Sequence, residues 1–510
     1  MGTSAYQRLE EVFRRVAVLS DAGSILHWDM STMMPPGGAA GRAEQLAALK
    51  VICHEALTDP RVGELLEEAE ADHALGPWQA ANRAEMRHRW LHATAVESGL
   101  VEAFSKATSA CEMIWREARP AADFAAVAPA LGRVLSLARE FAEAKAERLG
   151  CSPYDALLDS YEPGGRAETI DPLFESLAAF LPDFLARVLE RQAQAPAPVA
   201  PEGPFPVEAQ RRLGLRLMAA VGFDFDEGRL DVSLHPFCGG AVGDVRITTR
   251  YDEDDFTKAL MAVLHETGHA LYEQGLPEDW RYQPVGQARA MSLHESQSLI
   301  IEMQACRSRE FLEFAAPLIA DAFAGEGPAW TPANLHRLYT RVQPGPIRVD
   351  ADEVTYPAHV ILRYRLEKAM IAGEMEVDDL PAAWNAGIDE LLGLTPADDG
   401  EGCLQDIHWF DGEWGYFPTY TLGAMTAAQL FEAALGADSG ILPGIARGDF
   451  AALAAWLREN VHGLASRLST PDLITQATGR PLDGEAFERR LESRYLGQEA
   501  EGLVSAGRTS

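Results

Sequence analysis

The chain has 510 residues, 47% of them hydrophobic, and a formal net charge of −33. That apolar content suffices for a large core, while the charge repels nucleic acid and anionic membrane surfaces, so neither is an expected partner. Long stretches dominated by Ala, Leu, Glu and Arg predict a mainly α fold.

The opening stretch, MGTSAYQRLEEVFRR, is amphipathic and lacks the apolar run of a signal peptide. No run of 18 apolar residues is visible, so the expectation is a cytoplasmic protein with no membrane span. The six cysteines (Cys53, Cys111, Cys151, Cys238, Cys306, Cys403) form no C-x-x-C pair and read as reduced thiols.

A helical pattern covers 5–25. It is followed by His27-Trp28-Asp29 and a loop marked by Pro35, Pro36, Gly37 and Gly38. Helical periodicity then runs from about Ala40 to Gly150. His88 and His92 are four apart there, but Arg89 stands where a catalytic Glu is needed, so both read as solvated. The Ala/Pro-rich stretch 193–206 reads as a linker or surface loop. Residues 230–237 and 244–250 alternate as strands do, with Gly239, Gly240 and Gly243 as spacers, and predict a small hairpin or sheet. An edge strand there could pair with an extended peptide.

The next segment carries the strongest signal. His265-Glu266-Thr267-Gly268-His269 reads His-Glu-x-x-His. On a helix, positions i and i+4 share a face, so His265 and His269 converge on one zinc ion. Glu266 reaches water at that metal as general base. Asp254 or Asp255 caps this helix, Gly275 and Pro277 end it, and Gly268 weakens its interior by about 1 kcal/mol.

The third ligand has two readings. Glu295 opens a second helix downstream and could complete the site, or Ser292 and Glu295 could form a capping box. Glu302 and Glu273 are lesser candidates, and His294 points about 100° away from Glu295 around its helix. Further on, Arg348 could clamp a carboxylate through two hydrogen bonds, or merely neutralise Asp350 or Asp352. The Gly-, His- and aromatic-rich stretch 402–420 has the density of a functional loop. Helices fill 425–498, and the tail 499–510 is expected to fray.

These motifs together resemble the Taq-type metallocarboxypeptidases, the thermostable carboxypeptidase 1 family. The resemblance rests on HPF at 235–237, DVRIT at 244–248, HETGH at 265–269, HESQ at 294–297, IRVDAD at 347–352 and GCLQDIHW at 402–409, and extends from WDMSTMMPPG to GYFPTY. It implies an elongated helical zincin with a deep central groove and a small β-sheet beside the metal helix. The chain then reads as one domain over 1–510, with a helical wall or lid at 1–228, catalytic motifs at 229–424 and C-terminal helices at 425–498. The resemblance also implies a homodimer that removes single residues of broad specificity from peptide C-termini and resists C-terminal proline. The metal it implies is zinc, with cobalt as a substitute.

By the same resemblance Glu295 is the third ligand and Tyr420 and His408 donate to the reacting carbonyl oxygen. Arg348 binds the terminal carboxylate, and His235, Arg246, Gln405 and Asp406 line the substrate site. The rival readings are a helical zinc oligopeptidase that cuts internally and a non-catalytic helical binding protein. A zincin aminopeptidase is disfavoured by the lack of a GxMEN-like stretch.

Overall fold

The structure is a computed structural model and describes residues 4–497; the 499–510 tail lies outside them. The chain is mainly helical with one three-stranded sheet, as its composition predicts. It divides into two compact units. The first comprises Met1–Ala95, Val199–His336 and Leu430–Pro481, and the second Val96–Pro198, Arg337–Gln429 and Leu482–Ser510. One boundary falls within the Ala/Pro-rich 193–206 stretch. All six cysteines are free of disulfides. No helix among the described residues is long and apolar enough to cross a membrane.

In the first unit the helix Ala5–Thr32 starts from a reciprocal cap between Ser4 and Gln7 and continues through His27-Trp28-Asp29, beyond the expected residue 25. Tyr6, Leu9 and Phe13 on its inner face pack against Val62, Leu65, Leu66 and Met86. Burying each such large side chain contributes about 1.5–3 kcal/mol. His88 and His92 are half-buried, with ring centroids 4.5 Å apart, and so are not the solvated pair expected.

The sheet has strands β1 (Gly228–Val232), β2 (Cys238–Ala241) and β3 (Asp244–Thr249) in the order β1-β3-β2. β1 pairs parallel with β3, and β2 antiparallel. The expected strand 230–237 stops at Val232, and Gly239 and Gly240 lie inside a strand instead of spacing two. Gly240 has φ +109°, and a Cβ there would fall 2.1 Å from the Asp244 carbonyl oxygen, so only glycine fits this position in β2. Leu230, Val245 and Ile247 pack against Val263 and Ala270 of the helix Phe256–Gln274, making the sheet the bed of the metal-motif helix.

The second unit is helical. Its Ser98–Ala121 and Phe124–Leu149 helices are joined at Ala122, in the left-handed region, and Asp123, which caps the second through the Ala126 N–H. The 402–417 loop is anchored by the buried Glu367 of the helix Tyr356–Ala372. That carboxylate accepts from the Tyr154 hydroxyl at 2.5 Å, Trp409 Nε1 at 3.1 Å and the Gly415 N–H at 3.4 Å. Much of the aromatic density in the loop therefore anchors it.

Candidate metal centre

The helix Phe256–Gln274 is capped by Asp255, which accepts from the Thr257 N–H at 2.9 Å. Its buried face includes Leu260, Val263, Leu264, Gly268 and Leu271, which orients His265 and His269 the same way. The second helix, Met291–Leu299, passes directly against Gly268: a Cβ there would lie 2.4 Å from the Gln297 carbonyl oxygen. This close approach brings Glu295 to the histidines. Its Oε2 lies 3.6 Å from His269 Nε2 and 4.0 Å from His265 Nε2. Ligands about 2.1 Å from a tetrahedral metal stand roughly 3.4 Å apart, so His265, His269 and Glu295 have the spacing and the donor set of a zinc site.

The capping-box alternative does not hold. The second helix begins after Ala290, which has no side-chain cap, and Ser292 lies within the helix. The Glu295 carboxylate faces the histidines instead.

Each histidine is held from behind. The second helix continues as a π-turn over Ile300–Ala305, which carries Glu302. Glu302 Oε2 sits 3.0 Å from His265 Nδ1, and its other oxygen pairs with Arg307. Glu302 is therefore an orienting partner of His265, facing the nitrogen opposite the one turned to Glu295. Burial opposes ionisation of Glu302, but Arg307 and then His265 hold its pKa at about 2.

His269 is held differently. Its Nδ1 lies 2.6 Å from His294 Nδ1, and His294 Nε2 lies 2.8 Å from Glu273 Oε1. His294, expected to point away from Glu295, and Glu273, a lesser ligand candidate, thus form a chain behind the second histidine. Packing of two helices sets this contact, which angular spacing along one helix cannot reveal.

The electrostatic field favours a cation. Burial opposes a charge on His265, yet the Glu302 hydrogen bond and the carboxylates of Glu295, Glu302 and Glu266 push its pKa up to about 10. The field that holds a proton there suits a divalent cation equally. Glu266 itself is pushed up to about 7, chiefly by burial, with Glu295 adding to the rise and His265 opposing it. A carboxyl shifted toward neutrality suits the role of a general base.

The second unit holds a different cluster. Arg348, buried in the turn Arg348–Asp350, donates from Nη2 to Asp406 at 2.7 Å and from Nη1 to the Tyr356 hydroxyl at 3.1 Å. Asp406 also accepts from Arg363 Nε at 2.6 Å. Two guanidinium groups thus share one carboxylate, leaving an excess positive charge. Burial opposes ionisation of Asp406, but the two arginines hold it far below the usual carboxylate range. The partner of Arg348 is therefore neither Asp350 nor Asp352. The latter instead accepts from the Gln343, Val354 and Thr355 N–H groups. Gln405 braces the same turn, accepting from the Arg348 N–H at 2.8 Å and donating to the Pro346 carbonyl at 2.9 Å.

His408 Nε2 lies 3.3 Å from the Tyr420 hydroxyl. Burial, aided by Arg348 and Arg363 against Asp406, pushes the His408 pKa down to about 4, so the ring is neutral at pH 7. Among the remaining expected residues, His235 is exposed in the loop after β1. Arg246 is engaged: it pairs with Asp244 and its guanidinium lies 4.5 Å from the Trp28 ring centroid.

The family model described as carboxypeptidase Taq (M32) metallopeptidase matches residues 8–495. Thermostable carboxypeptidase 1 of Thermus thermophilus is 41% identical over 503 residues, covering 96% of this chain and 98% of the relative. The solved structure of Trypanosoma cruzi metallocarboxypeptidase 1 has 41% identity and a TM-score of 0.95, covering 96% of this chain and 99% of that one. The M32 carboxypeptidase from Deinococcus radiodurans R1 has 36% identity and a TM-score of 0.91, covering 96% and 98%.

Proposed function

The chain belongs to the carboxypeptidase Taq (M32) family and is a metallocarboxypeptidase; from that premise we propose that it removes single residues from peptide C-termini with zinc held by His265, His269 and Glu295. The observation that carries this reading is the convergence of those three side chains beside a buried Glu266. Two histidines and a glutamate are a donor set of catalytic zinc. A zinc ion there supplies Lewis acidity toward a carbonyl oxygen and acidifies nearby water, and cobalt substitutes for it.

Glu266 accepts the proton of the attacking water and returns it to the leaving amine. Arg348 takes the terminal carboxylate of the peptide. This role is supported by the excess positive charge of the Arg348–Asp406–Arg363 cluster. Asp406 and Gln405 hold Arg348 in place. Tyr420, paired with neutral His408, is the donor assigned to the carbonyl oxygen. His235 and Arg246 have weaker support as substrate contacts, because one is exposed and the other already paired.

Broad side-chain tolerance, resistance to C-terminal proline and a homodimeric, cytoplasmic enzyme complete the reading. Mass spectrometry of a peptide digest tests it. Stepwise loss of C-terminal residues, stopping at proline and nearly abolished by C-terminal amidation, is expected. Internal cleavage that ignores amidation would instead establish an oligopeptidase. Light scattering tests the dimer.

A further inference from the structure

We infer that His294 and Glu273 are positioning residues for the ligand His269, fixing the orientation and proton placement that leave its Nε2 lone pair for the metal. The inference rests on the reading of His265, His269 and Glu295 as metal ligands.

The argument follows from hydrogen placement. A neutral imidazole carries one N–H, and a ring that gives Nε2 to a metal carries its hydrogen on Nδ1. His269 Nδ1 is 2.6 Å from His294 Nδ1, and its hydrogen is shared between that nitrogen and the His294 backbone, which also hydrogen-bonds the ring. The single hydrogen of His294 is then on Nε2, which donates to Glu273 Oε1 at 2.8 Å. With the hydrogens placed this way each nitrogen of His294 has a partner, and Glu273 sets the direction. Were Glu273 absent, His294 could place its hydrogen on Nδ1 and oppose that of His269.

Packing fixes the same rings. His294 lies 4.7 Å from the His269 ring centroid and 5.4 Å from that of Tyr272. Tyr272 in turn lies 5.1 Å from His462, whose Nε2 is 3.0 Å from Gln297 Oε1 on the second helix. His294 therefore packs against two rings of the first helix, which favours this orientation.

The two ligands are supported unequally. His265 meets the carboxylate of Glu302 directly, whereas His269 reaches the carboxylate of Glu273 only through the His294 ring. Removing an outer partner of a metal-bound histidine typically lowers affinity about 10- to 100-fold.

The test is chelator competition on the full chain with zinc, paired with the visible spectrum of the cobalt-loaded protein. His294→Phe, which keeps a ring beside Tyr272 but cannot accept, is expected to weaken zinc about 10- to 100-fold and to alter the cobalt bands. His294→Asn places an acceptor oxygen near the position of Nδ1 and is expected to recover most of the affinity and the wild-type bands. Glu273→Ala, at the more exposed end of the chain, is expected to weaken zinc while leaving the thermal stability of the apo-protein unchanged. This variant decides the question if His294→Phe does not fold.

Wild-type affinity and bands in His294→Phe would overturn the inference, as would equal losses in the Phe and Asn variants, which would mark a packing role only. Failure of the wild type to bind zinc would instead remove the metal-site reading, and the inference with it.

Discussion

Gly268 and Gln297 meet across a gap too narrow for a methyl group: a Cβ on Gly268 would lie 2.4 Å from the Gln297 carbonyl oxygen and 2.5 Å from Ser298 Cα. The close contact of the two ligand-bearing helices depends on that missing side chain. Gly268→Ala gains about 1 kcal/mol of helix propensity. It also forces the helices apart, at a cost of about 1–3 kcal/mol or more for overpacking. The backbone on the far side cannot turn aside as a side chain could, so the net effect is destabilising. The expected result is a lower Tm together with weaker zinc binding, because Glu295 recedes from His265 and His269. Calorimetry with and without zinc checks it, and an unchanged Tm with full zinc affinity would contradict it.

Glu266→Gln is expected to retain stoichiometric metal while kcat falls about 100- to 10,000-fold, the range for loss of a general base. The residue is buried beside both histidines but is not one of the three converging ligands. Metal analysis by inductively coupled plasma, run beside turnover on the same preparation, separates base from ligand. Loss of the metal itself would count against the assignment.

Glu295→Ala and Glu302→Ala should weaken metal binding to different degrees. The first removes a ligand, and stoichiometric zinc at low free metal is then not expected. The second removes the carboxylate behind His265 Nδ1 and should cost about 10- to 100-fold. It also takes away the carboxylate that Arg307 binds, so a lower Tm is expected in the apo-protein. Chelator titration of the two variants ranks them, and the reverse order would make Glu302 the ligand.

Arg348→Ala should lower kcat/KM for free-acid peptides about 30- to several-thousand-fold, equivalent to roughly 2–5 kcal/mol, with a much smaller loss on the amidated versions. Arg348→Lys should restore only part, because a point charge lacks the planar fork. The fold should tolerate Arg348→Ala, since Asp406 keeps Arg363 as partner. Asp406→Asn is the damaging change, because two buried guanidinium groups then lose their shared counter-charge, at about 3–5 kcal/mol. Paired kinetics on both peptide forms, with urea titrations, check these outcomes. Equal fold-losses on free-acid and amidated peptides would remove the clamp.

Glu367 makes stability depend on pH. Burial pushes its pKa up to about 7 against three donated hydrogen bonds. The unfolded value is about 4.3, so between the two the folded chain binds more protons than the unfolded one. Its contribution therefore falls as pH rises from about 4.5 to 7, by on the order of 3 kcal/mol at most. Asp406 acts in the opposite sense: its stabilisation is full above its unfolded value of about 3.9 and is lost as pH falls further. Gln resembles the neutral acid, so the urea midpoint of wild type should fall relative to that of Glu367→Gln as pH rises from about 4.5 to 7.5. Parallel curves would show that Glu367 stays ionised throughout.

The His265–Glu266–His269 constellation was fully legible in the sequence, because 3.6 residues per turn fixes which side chains share a face without any knowledge of the rest of the fold. The mainly helical class and the alternation of β1 and β3 were legible for the same reason: both are local periodicities. The identity of the third ligand was not decidable locally, since one carboxylate at Glu295 satisfied either a cap or a metal site. The structure decides it by starting the helix after Ala290 and turning Glu295 toward the histidines. The need for glycine at 268 appears only when the Gln297 backbone passes over it. Arg348 finds Asp406, 58 residues away, instead of the aspartates beside it. His269 finds His294 from another helix, a contact that angles along a single helix cannot show. Sequence therefore determined what each helix presents on its own surface. Only tertiary packing decided which presented groups meet, because hydrogen bonds and charge pairs depend on separations of a few ångströms that chain spacing does not set.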